Sequence, residues 1–284
     1  MNQSNKITIY SAEKRGQSIF RIFKEMISEL PEAHELGQRL FKRNIKALYR
    51  QSLLGFFWAL IPPLVTAGVW ILLRSNNVAN FGETNVPYPV FIITGTLLWQ
   101  IFSESITTPL TSVNTNKSIL VKINIPREGL LLSGIYTLIF NLSIKTAILV
   151  IIYFYFEQAL TWSVLMVPVG IIAIVICGFS LGLLIVPIGM LYTDIGRGVT
   201  LILPFLMYLT PVIYPMKTEG LFGLFMKANP MASLLTETRN WLTSKPIYDL
   251  NMFIYYTGFF FLILIVGLVI YRISMPMIIE RIGS

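Results

Sequence analysis

Charge is what this sequence has least of. Asp, Glu, Lys and Arg make up 13% of its 284 residues, against about 25% in an ordinary soluble domain. With 55% hydrophobic residues, the chain is expected to be an integral membrane protein. Cysteine is nearly absent as well. The one thiol, Cys177 in an apolar run, excludes an intrachain disulfide and reads as a small core residue. The one histidine, His34, suits a polar interface better than a reaction, and no Ser/His/Asp relay can assemble in the membrane. No His, Cys, Asp and Glu cluster has metal-ligand spacing. There is no GxxxxGK[ST] stretch, and Gly is never followed by Lys, so the chain cannot cradle nucleotide phosphates by that route. Glu104, Glu157 and Asp194 lie where an interfacial enzyme would keep an acid, but none has an evident catalytic partner. The chain is therefore read as non-enzymatic. Its first 50 residues are polar and charged, which argues against a cleavable signal peptide.

What is there is organised around Arg39–Leu73. Arg39, Lys42, Arg43, Lys46 and Arg50 come first, and from Ser52 to Leu73 no ionisable acid or base follows. About 20 such residues cross a bilayer, and the cations should stay in the cytoplasm. Upstream, residues 19–30 and 35–50 each split at helical spacing into an apolar and a charged half. Pro31 is expected to end the first helix or begin a new turn. Basic amphipathic helices running into a span lie in the membrane interface or pack on a partner.

Six spans are expected, at 53–73 (kinked at Pro62-Pro63), 89–111, 129–156, 163–191, 199–214 and 252–271. Sixteen of the 22 Lys and Arg then fall on the inner side and five on the outer, which places both termini in the cytoplasm. The net charge of +8 is thus assigned to loops facing anionic lipid, not to nucleic acid. The predicted organisation is a cytoplasmic region 1–52, a transmembrane domain 53–272 and a cytoplasmic tail 273–284. Within the outer segment 215–251, Gly220–Met226 and Met231–Leu242 are apolar but too short to cross, with Asn229-Pro230 between them. They read as re-entrant or interfacial half-helices.

Two ionisable groups sit within spans, Lys145 and Glu104. A central lysine costs about 2.5–3.5 kcal/mol on insertion scales. It either lines a polar pathway, snorkels, or pairs with Glu104, although the two depths look mismatched by a turn or two. Trp58, Trp99, Phe102, Tyr136 and Tyr208 also fall inside spans. They are candidate channel-lining faces for sugar rings, or core. GFSLG at 178–182 permits close helix approach, within the chain or between copies.

NIKALYRQSLLGFFWALIPPL resembles the start of the first span in ABC-type polysaccharide export permeases, with Asn44 where an acid is usual and Ala47 where a base is common. GTLLWQIFSESI (Gly95–Ile106), NKSILVKINIPRE (Asn116–Glu128, with Ile125 for the usual Phe), DIGRGVTLILPFLMYLTPVIYP (Asp194–Pro215) and NPMASLLTETR (Asn229–Arg239) continue the likeness in order. The resemblance implies an all-α, type-2 ABC exporter permease architecture: six transmembrane helices, an N-terminal amphipathic interface helix and outer re-entrant half-helices. It also implies a homodimer in the bacterial inner membrane, with two copies of a cytoplasmic ABC ATPase that bind the ATP and Mg, and no cofactor in this chain itself. Within the 113–128 loop, Asn116, Leu120, Lys122, Ile125, Pro126, Arg127 and Glu128 would couple to that ATPase. Pro211, Tyr214, Pro215, Asn229, Pro230, Arg239 and Trp241 would form the outer gate. The substrate would be a glycan on undecaprenyl diphosphate, whose headgroup Arg43, Lys46, Arg50 and Gln51 are suited to attract. A small-molecule or lipid exporter, or a scaffold of glycan assembly, remains the alternative.

Overall fold

A computed structural model of the chain describes residues 19–50, 61–78, 84, 86–122, 125–159, 161–216, 219–243 and 249–283. Among them the regular elements are all helical. They are α1 (Ile19–Arg50), α2 (Ile61–Ser75), α3 (Tyr88–Thr115), α4 (Lys117–Lys122), α5 (Glu128–Tyr155), α6 (Val167–Leu191), α7 (Thr193–Tyr208), α8 (Gly220–Ala228), α9 (Pro230–Leu242) and α10 (Leu250–Gly283). A 3-10 turn, Trp162–Met166, leads into α6. Four stretches are long and apolar enough to cross a membrane: Tyr88–Thr115, Glu128–Tyr155, Trp162–Leu191 and Leu250–Ile282. α2 is apolar but shorter, with Pro62 and Pro63 in its first turn. The start of the expected first span, with Gln51 and Trp58, lies outside the described residues.

In lipid, helices gain little from hiding apolar surface, so close packing and satisfied polar groups must hold them together. α3 is the axis of that packing and touches α2, α5, α6 and α9. Ile92, Leu97, Leu98 and Ile101 on it are fully buried. α6 fits between α3 and α10. Its GFSLG works within the chain: a Cβ on Gly182 would lie 2.1 Å from the Ile106 carbonyl oxygen, and one on Gly178 2.7 Å from that of Phe102. α1 lies along the first part of α5, from Ala33 against Gly129 to Phe41 against Phe140.

Four sequence expectations are corrected. α1 is one helix through Pro31, not two. The missing N–H costs one hydrogen bond, but Ile22 before the proline and Ala33 and Leu40 after it are all buried, which pins both halves. The expected inner turn 192–198 shrinks to Tyr192 alone, which is both the end of α6 and the cap of α7. The expected helix through 214 stops at Tyr208, because Pro211 has no amide hydrogen and disfavours helical backbone at Thr210. The last helix also runs on through the expected tail, burying Tyr271, Met275 and Ile278.

Gly182→Ala is expected to force α6 off α3 and lower the detergent melting midpoint by several degrees. Gly258→Ala, with nothing within 4 Å of the added carbon, is expected to leave it unchanged. Equal midpoints for the two variants would rule out Gly182 as a packing contact.

Candidate functional site

At the outer end, the residues after α7 leave helical geometry while still buried. Pro211, Val212, Ile213 and Tyr214 are all buried. Backbone in that state needs partners inside the protein, and they come from three other elements. Arg239 of α9 donates from Nη1 to the Val212 carbonyl at 3.3 Å. The Tyr88 hydroxyl of α3 donates to the Ile213 carbonyl at 3.1 Å. Asn229 Nδ2 donates to Thr210 Oγ1 at 3.0 Å, while its Oδ1 accepts from the Met231 amide at 3.0 Å and caps α9. The Tyr214 hydroxyl closes the segment on the Tyr208 carbonyl.

Arg239 is itself buried, its guanidinium carbon 3.7 Å from the Phe91 ring centroid. A cation over an aromatic face is attracted by the ring quadrupole, most strongly where water is excluded. Gly95 makes the arrangement fit, since a Cβ there would stand 2.3 Å from the Val212 oxygen. Trp241 packs on Phe253 with ring centroids 5.0 Å apart, and its carbonyl accepts from Ser163 Oγ at 2.8 Å. Pro215 and Pro230 are half-buried at either end of the segment. The structure therefore joins the Thr210–Tyr214 segment, Asn229 and Arg239 in one knot, with Trp241 in the same apolar cluster as Val212, Ile213 and Tyr214.

The inner end is a second convergence. Asn116 is fully buried between α3 and α4. Its Nδ2 donates to the Ser112 carbonyl at 2.7 Å, its own carbonyl accepts from the Ile119 amide at 3.0 Å, and its Oδ1 accepts from Arg43 of α1. Leu120 is buried in the same apolar cluster as Met275 and Ile278 of α10. Ile125, Pro126 and Arg127 are half-buried, and the Arg127 carbonyl accepts from the Tyr271 hydroxyl at 2.9 Å. The Lys122 side chain lies outside the described residues. Arg272 is ringed by three carboxylates: Glu29 at 2.9 Å, Glu25 at 3.8 Å and Glu128, the first residue of α5. One guanidinium thus ties α1, α5 and α10 together directly behind the loop.

Lys145 and Glu104 do meet. The ammonium is 1% exposed and ion-paired to a carboxylate that is 36% exposed. Asn141 approaches the second carboxylate oxygen at 3.5 Å. Trp99 and Phe102 touch one another with centroids 5.1 Å apart and are buried in the core. Tyr136 is half-buried in the α1–α5 seam, its hydroxyl bonded to His34 Nδ1 at 2.5 Å. Tyr208 is exposed. Arg43, Lys46 and Arg50 stand on the open side of α1, Arg43 with its bond to Asn116. Sequence reasoning missed Tyr88, Phe91 and Gly95, the α3 side of the outer knot, and Arg272. Only Gly95 carried a signal, as the first residue of a matched motif.

Arg272→Ala would leave Glu25, Glu29 and Glu128 facing one another. Breaking one side of a buried pair costs about 3–5 kcal/mol, so the variant is expected to melt well below wild type. Adding Glu128→Gln should restore most of the loss. An unchanged midpoint for Arg272→Ala would show that the cluster holds nothing together.

Comparison with known proteins gives this geometry a family. The profile of the ABC-2 type transporter family matches residues 35–242, a range that includes the buried segment after α7 with Asn229 and Arg239 and, at the other convergence, Arg43, Asn116, Leu120 and Glu128. The O-antigen export system permease protein RfbA of Myxococcus xanthus is 28% identical over 218 residues, covering 74% of this chain and 81% of the relative. The RfbA of Klebsiella pneumoniae is 28% identical over 240 residues, covering 81% and 88%. The polysialic acid transport protein KpsM of Escherichia coli is 22% identical over 250 residues, covering 83% and 92%. With most of its length matched and four helices fit to cross a bilayer, this multi-pass membrane protein belongs to the ABC-2 type transporter family.

Proposed function

We propose that the chain is the permease subunit of an exporter of polysaccharide carried on undecaprenyl diphosphate, of O-antigen, capsule or teichoic-acid type. It works in the bacterial inner (cytoplasmic) membrane with six spans and both termini inside. Two copies enclose the path, and two copies of a cytoplasmic ATPase supply the energy and hold the ATP and Mg. The observation that carries this reading is the placement of α1. Its apolar side is docked on α5, its cations Arg43, Lys46 and Arg50 are left open, and Arg43 is bonded to Asn116 at the head of α4. A row of cations able to attract an anionic headgroup is thereby joined to the loop that would meet the ATPase.

α7 supports the second copy. Leu203 is its buried residue, while Leu201, Ile202 and Phe205 are exposed. In this reading the diphosphate arrives at the α1 cations, closure of the ATPase dimer pushes α4, and the first and fifth spans of the two copies part. Tyr208, which is exposed, offers a ring face to passing sugars. Trp99, Phe102 and Tyr136 support the wall from within the protomer. Lys145 contributes by holding Glu104. The outer knot around Arg239 is the gate that yields last.

Arg127→Glu is expected to lower export at least tenfold while leaving the amount of chain in the membrane unchanged. Undiminished export and ATPase association in that variant would remove the coupling role. The purified chain with its ATPase should hydrolyse ATP faster when a lipid-linked glycan is added. Stimulation by a small hydrophobic compound and by no such glycan would overturn the cargo assignment.

A further inference from the structure

α3 carries its polarity on the wrong side for a helix bathed in lipid. Between residues 100 and 111 the buried positions are Ile101, Phe102, Ser105, Ile106, Pro109 and Leu110. The positions left open or half-open are Gln100, Ser103, Glu104, Thr107, Thr108 and Thr111. They recur at three and four residues, so they form one row along the helix. None of them is apolar. The open positions of α10 are the opposite, with Ile254, Phe261, Leu262 and Val266 exposed. A glutamine and a carboxylate turned to hydrocarbon would cost several kcal/mol. This face is therefore made for water or a polar ligand.

We infer that this α3 row lines the inner half of the transport path and takes the hydroxyl groups of the glycan, an inference that rests on the export function proposed above. From Gln100 to Thr111 the row rises about 17 Å, roughly half of the hydrocarbon core. The chemistry of the row matches a donor-rich chain. The Thr107 hydroxyl donates to the Ser103 carbonyl at 3.1 Å and that of Thr108 to the Glu104 carbonyl at 2.6 Å. Both hydroxyls thus spend their proton on the helix and keep lone pairs able to accept, Thr107 on the more open side and Thr108 beside Gly134 of α5. Glu104 adds a carboxylate, held in place by buried Lys145 and by Asn141. Lys145 is thus a positioning residue and does not itself reach the path. The row also begins in the right place. Just beyond its inner end is Asn116, bonded to Arg43, so a diphosphate on the α1 cations leaves its first sugars at the foot of the row.

The chain's one cysteine is buried, which makes the test clean. In a Cys177→Ala background, Thr107→Cys, Thr111→Cys and the lipid-side control Leu262→Cys are each placed in the full complex with its ATPase. Labelling by a charged methanethiosulfonate in inverted membrane vesicles is then timed. The row positions are expected to react at least tenfold faster than Leu262→Cys, and lipid-linked glycan is expected to slow them. Labelling no faster than the control would overturn the inference. Fast labelling that glycan leaves unchanged, in a complex that exports, would overturn the assignment of the occupant. Labelling needs no substrate, so failure of the export function itself is read separately, as a wild-type complex that moves no glycan.

Discussion

A backbone that stops being helical inside a membrane protein must have its carbonyls and amides answered by the protein. The outer end of this permease is built around that demand. Pro211 ends α7 early, and the segment that follows can persist only because Arg239, Tyr88 and Asn229 reach it from α9, α3 and the α8–α9 junction. Each of those partners is in turn fixed by something else: Arg239 by the Phe91 ring, Tyr88 by the Arg74 guanidinium 4.2 Å above its own ring, and Asn229 by capping α9. The start and the body of α9 are thus tied in place by the segment they satisfy.

The inner end uses charge where the outer end uses backbone. Arg272 gathers acids from α1 and α5 onto α10, and Arg43 joins α1 to the α3–α4 junction. With Leu120 seated among α10 side chains, α4 cannot shift without loading α1, α3 and α10 together. Force from a cytoplasmic partner would enter a braced frame. In that frame the α1 cations, the α4 helix and the start of α5 form one mechanical unit.

Much of this was legible in the residues, for identifiable reasons. Long apolar runs marked α3, α5, α6 and α10, and Asn229-Pro230 marked the boundary between α8 and α9 because an Asn cap followed by proline fixes a helix start. Pro31 misled, because a proline's local penalty is visible in sequence and the tertiary anchoring that outweighs it is not. The Glu104–Lys145 pair looked out of register because depth was counted from backbone positions, whereas both side chains are long enough to span the offset. The aromatic rings of α3 drew attention as wall residues, yet Trp99 and Phe102 are core. In a helix packed at the centre of a bundle the polar side is the open one, and only burial reveals it.

The single-residue link at Tyr192 sets how α7 can behave. An ordinary loop would let the two helices slide past one another. A joint of one extended residue leaves only the rotations about its own backbone bonds. α7 is therefore an arm hinged on α6 at Tyr192, and an angular change at that hinge would move Tyr208 the most. A rotation at this elbow would therefore be felt most where α7 meets the knot around Arg239.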